Sequence, residues 1–150
     1  MEPERVCTFA QDGSGGRFYL LADETVGFES SEGQAGRIAR SMKEFLELIV
    51  YCPFRMDLCG ARSVRYLEDR RAFFEQTEKE RIEDMAASAM DYYKMQKEIS
   101  IELGLAPAIS SFEVSEKFYE AVTAQPEFYG VCSEEGSSET WQTERLFKCG

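Results

Sequence analysis

Histidine is absent from the 150 residues. Its absence removes Ser-His-Asp and Cys-His catalysis, imidazole general acid–base chemistry and any zinc site built on imidazole. The five cysteines, Cys7, Cys52, Cys59, Cys132 and Cys149, are odd in number and none forms a C-x-x-C pair. A disulfide framework and a four-cysteine zinc site are therefore not expected, and the thiols read as free. No apolar run reaches the roughly 18–20 residues that span a bilayer. The first residues, Met1 to Ala10, lack the cationic start and long apolar segment of a secretory signal, so a cytoplasmic chain is expected. Neither a metal nor a cofactor is expected.

What is abundant is acid. The net charge is −11, and Glu113 to Glu144 holds eight glutamates against the single base Lys117. Such a surface repels nucleic acid and anionic membrane and favours a basic protein partner; ordinary solubility is the plainer explanation. The hydrophobic fraction, 43%, with 13% aromatics, suits one globular domain over residues 1–150. It divides into a sheet and helix at 8–51, a helical part at 62–125 and a tail at 126–150.

The first part sets the fold. Val6 to Ala10 reads as a strand, and Asp12-Gly13-Ser14-Gly15-Gly16 as a hairpin turn. It is no phosphate cradle, because Arg17 and a strand follow where a P-loop needs Gly-Lys-Ser/Thr and a helix. Arg17–Ala22 and Thr25–Glu29 are further strands, and Arg37–Ala39 a brief fourth. Ser41 with Glu44 three residues on forms a capping box for a helix that Pro53 stops. The expected class is α+β: a small antiparallel sheet of three to four strands packed against several helices.

Beyond residue 60, helical periodicity runs from Val64 to Leu103 with a break expected near Thr77. Ile82, Met85, Ala86, Ala89, Tyr92 or Tyr93, Ile99 and Leu103 recur at spacings of three and four. This stripe reads as core, with a partner groove as the sharper alternative. Gly104 is placed to end the helix. Ser110 with Glu113 opens another helix that ends before Pro126. Phe128–Cys132 suits a strand and Thr140–Phe147 a strand or short helix, anchored by Trp141.

The order Phe9-Ala10, the Asp12–Gly16 turn, a strand, Ser31-Glu32-Gly33, then Ile38-Ala39 and the helix around Phe45 resembles the SUKH superfamily. This group holds bacterial immunity proteins of polymorphic toxin systems and a fungal regulator of cell-wall synthesis. The resemblance covers about 45 residues. It implies an α+β fold and protein binding without catalysis, with a toxin as partner where the role is immunity. The family places a helix and a strand before the glycine-rich turn, a departure from the pattern here.

Three functions follow as expectations. The first is an immunity protein that meets a basic, nuclease-like toxin through Glu134, Glu135 and Glu139 beside Trp141, with Glu32 as a second contact. The second is an adaptor that engages a cellular partner through its helical face. The third, an enzyme, requires Asp12, Glu32 and Cys52 to converge, and no spacing supports it.

Overall fold

The computed structural model describes residues 7–59, 66–105, 110–124, 131–133, 140–142 and 144–146. Its elements run β1 (Cys7–Gln11), β2 (Arg17–Leu20), β3 (Val26–Glu29), β4 (Gln34–Ala39), α1 (Met42–Tyr51), α2 (Arg55–Cys59) and α3 (Leu67–Ala87). They continue as α4 (Tyr92–Glu102), α5 (Ser111–Thr123), β5 (Val131–Ser133), β6 (Thr140–Gln142) and β7 (Glu144–Arg145). The class is α+β. Two compact units are present, one of residues 1–45 and 119–146, the other of 46–118 and 147–150.

The sheet unit is built on the antiparallel meander β1-β2-β3-β4. Period-two alternation sends Phe18 and Phe28, which are register partners, to one face. There they stack at 5.0 Å, and Phe45 from the first turn of α1 meets Phe18 at 5.1 Å and Phe9 at 5.3 Å. Ser41 caps α1 as the sequence requires, and the Glu44 side chain reaches one residue further back than in a regular capping box. The Ser41 hydroxyl accepts the Glu44 amide at 3.2 Å, while Glu44 Oε2 reaches back to the Arg40 amide at 3.1 Å.

Two features of this unit go beyond the sequence reading. β4 is six residues long, starting at Gln34 and not at Arg37. The tail also returns: β7 pairs in parallel with β4, Gln34 opposite Glu144 and Ala35 opposite Arg145, giving a fifth strand. Leu146, 1% exposed, follows directly. β5 and β6 make a separate two-stranded ribbon.

The helical unit has an aromatic core in which Phe74 of α3 contacts Phe54 at 5.4 Å and Phe112 of α5 at 5.5 Å. Arg70 holds Glu116 through two hydrogen bonds of 2.8 and 2.9 Å, tying α3 to α5 with charge-assisted, bidentate geometry. Arg71 lies 4.2 Å from the centre of the Phe112 ring.

The helical break falls at 88–91 and not near Thr77. Thr77 stays in α3 by donating its hydroxyl to the Phe73 carbonyl at 2.8 Å. The chain instead leaves the helix where Ala89 takes φ +59° and Met90 N–H returns to the Met85 carbonyl at 2.9 Å. This is a Schellman closure with alanine in the place glycine usually fills. Asp91 then caps α4, accepting the Lys94 amide at 3.1 Å. Gly104, at φ +68°, ends α4 as expected, with Leu105 N–H bonding the Ser100 carbonyl at 2.9 Å. Ser110 caps α5 through the Glu113 amide at 3.4 Å.

Candidate partner-binding surface

An α-helix advances about 100° per residue, so positions four apart form rows along its surface. On α4 the row Tyr92, Gln96, Ser100 is buried. These residues are polar, and the protein satisfies part of that polarity internally. Gln96 Nε2 donates to the Val50 carbonyl at 3.3 Å, and the Ser100 hydroxyl to the Lys97 carbonyl at 2.9 Å.

The neighbouring row is the apolar one, and it faces out. Met95, Ile99 and Leu103 are 39%, 42% and 43% exposed. Tyr93 and Ile101, elsewhere on the helix, are more exposed still. The stripe expected to be core is thus divided. Tyr92 is buried, Ile82 and Met85 are half-buried, and Ala86, Ala89, Tyr93, Ile99 and Leu103 are exposed. Apolar spacing marks a face but does not say which way that face points, and here the inward row is the polar one.

Near Tyr92 of α4 lies a group of titratable side chains whose pKa values are raised. Burial pushes the Cys52 thiol well above its ordinary value, with Arg55 opposing the shift. Burial likewise raises the Tyr92 hydroxyl, and the nearby Glu78 carboxylate and Cys52 add to it. Glu78 itself is raised by partial burial; Tyr92 offsets some of that and the negative Glu75 adds to it. Among the described residues, the buried atoms Glu78 Oε2 and Tyr92 Oη have no hydrogen-bond partner. A thiol that is 0% exposed and held protonated is poorly suited to act as a nucleophile. Cys59 is half-buried, and burial pushes its thiol up to about 12.

The other residues singled out by sequence are placed as follows. Asp12 is committed to its own turn, with Oδ1 accepting from Ser14 N at 3.0 Å, Ser14 Oγ at 3.0 Å and Gly16 N at 2.7 Å. Amides that would cradle a phosphate are therefore already taken. Glu32 is exposed in the β3–β4 turn, at the same end of the sheet as the Asp12 turn, since a Cβ on Gly15 would lie 3.6 Å from Ser31 Cβ. Glu134, Glu135 and Glu139 lie outside the described residues. Trp141 is the central residue of β6, its backbone opposite Cys132.

Among the described residues, no group of three or more acidic or thiol side chains is arranged to hold a metal ion. None of their helices is long and apolar enough to cross a membrane. No protein-family model, curated protein or solved structure matches this chain.

Proposed function

We propose that this chain is a non-catalytic protein-binding module whose contact surface is α4. One observation carries the reading: α4 buries hydrogen-bonded polar side chains and turns Met95, Ile99 and Leu103 to solvent. Leaving a continuous apolar row in water forgoes the stabilisation that burial brings, about 25 cal/mol per Å². Such a row is the usual anchor pattern for a helix-mediated contact. An adaptor that binds through its helical face is the form this observation favours.

A second reading rests on the acidity of residues 113–144 and on the resemblance to the SUKH superfamily. In it the partner is a basic toxin domain, and binding neutralises it. The two forms differ in a growth experiment. Cells expressing the product of the adjacent reading frame without this chain are expected to arrest under the immunity reading and to grow normally under the adaptor reading. Site-specific photo-crosslinking from position 99 in the native host tests the shared surface. A discrete crosslinked partner, lost on Met95→Ser, is expected; a crosslinking pattern indifferent to Met95→Ser removes α4 from the function.

A further inference from the structure

We propose that the occupant of the α4 surface is an amphipathic helix carrying basic residues along one flank of its own apolar stripe. This rests on the reading of α4 as a contact surface and names the chemistry of what it takes.

The inference comes from which residues border the apolar row. Relative to the line of Met95, Ile99 and Leu103, helical geometry places Glu98 and Glu102 about 80° round on one side. Both are exposed. On the other side the bordering row is Tyr92, Gln96 and Ser100, which is buried. Lys94 and Lys97 project more than about 130° from the row, away from any ligand seated on it. On α4 itself, the solvent-facing border of the stripe is therefore single and acidic.

A one-sided acidic border selects both partner and orientation. The row spans about 12 Å from Met95 to Leu103, a little over two helical turns. A partner helix with apolar residues at i, i+4 and i+8 matches it, and lysines or arginines beside that stripe meet the carboxylates of Glu98 and Glu102. A second copy of this chain fits badly. In an antiparallel two-fold pairing of α4 with itself, each acidic border faces its own copy, between molecules of net charge −11. Anionic lipid and nucleic acid meet the same repulsion.

The test uses the full chain and two synthetic helical peptides with leucine at every fourth position. One carries lysine along a single flank of the stripe and the other carries glutamate there. Fluorescence anisotropy is expected to show the lysine peptide binding at least about tenfold more tightly at low salt, the difference shrinking as salt screens it. Glu98→Lys with Glu102→Lys is expected to reverse the preference, and Ile99→Ser to weaken both peptides, circular dichroism confirming that each variant is folded. Equal affinity for the two peptides, binding of neither, or a preference untouched by the charge reversal would overturn the inference. So would an Ile99-dependent dimer in sedimentation equilibrium. If crosslinking from position 99 still captures a Met95-dependent partner in any of those cases, only the partner chemistry fails and α4 remains the contact surface.

Discussion

Leu146 closes directly over Gly36. A Cβ added to Gly36 would stand 2.8 Å from Leu146 Cδ1 and 3.2 Å from its Cγ, so the glycine is the space into which that side chain packs. Parallel pairing of β7 with β4 brings the two residues together. The contact fixes a sequence-distant segment against β4, the last strand of the meander.

Gly36→Ala is accordingly expected to destabilise the protein by about 1–3 kcal/mol, the usual range for overpacking a tight core. The methyl group has no open direction, since Val122 Cγ1 also stands 3.6 Å from it. Pairing Gly36→Ala with Leu146→Ala is expected to return part of the loss, because the clash is removed even as apolar contact is given up. Chemical denaturation of the four proteins of this cycle measures the coupling.

Ala89 holds a left-handed conformation at φ +59° to close α3, and an L side chain pays roughly 1 kcal/mol there. Ala89→Gly is expected to raise stability by about 0.5–1 kcal/mol, the strain relieved outweighing the added freedom of the unfolded chain. The position is exposed, so no packing is lost. A thermal midpoint unchanged or lowered would contradict the assignment of Ala89 to this closure.

Glu78 has a raised pKa in the folded protein because partial burial opposes its charge and Glu75 repels it. The sign is the reverse of the common carboxylate case. Below its ordinary value near 4.5 the group is protonated in both folded and unfolded chains and costs nothing. As pH rises above that value the unfolded chain ionises first, and the folded state loses stability until the folded group has also ionised. Glu78→Gln is expected to stabilise the protein at neutral pH and to leave it little changed below about pH 4. Denaturant midpoints of both proteins across pH read the difference.

Local signals were legible because each is decided within a few residues. Ser41 with Glu44, Pro53, Gly104 and Ser110 all act on the amides and carbonyls next to them, and each acts where the sequence places it. The break between α3 and α4 was not legible, since Ala89 does without the glycine that announces such a turn. Thr77 looked like a breaker but instead donates back to its own helix. The return of β7 depends on the fit of Leu146 to Gly36, which no periodicity encodes. For α4, the rows Tyr92–Gln96–Ser100 and Met95–Ile99–Leu103 are neighbours on one helix. The Val50 carbonyl, supplied from 46 positions away, is an inward partner of Gln96 that no local pattern announces. Of the contacts expected from sequence, Glu32 is exposed, while Glu134, Glu135 and Glu139 lie beyond what the structure describes.

The parallel strand has a consequence for how the protein is made. During synthesis β4 leaves the ribosome more than a hundred residues before its partner Glu144-Arg145. Through that interval the backbone edge of β4 that β7 will pair, and the hollow at Gly36, lack their final cover, the condition in which one nascent chain can pair with another. The sheet completes only when the tail arrives, so its last step waits on translation and on closing one of the longest loops in the molecule.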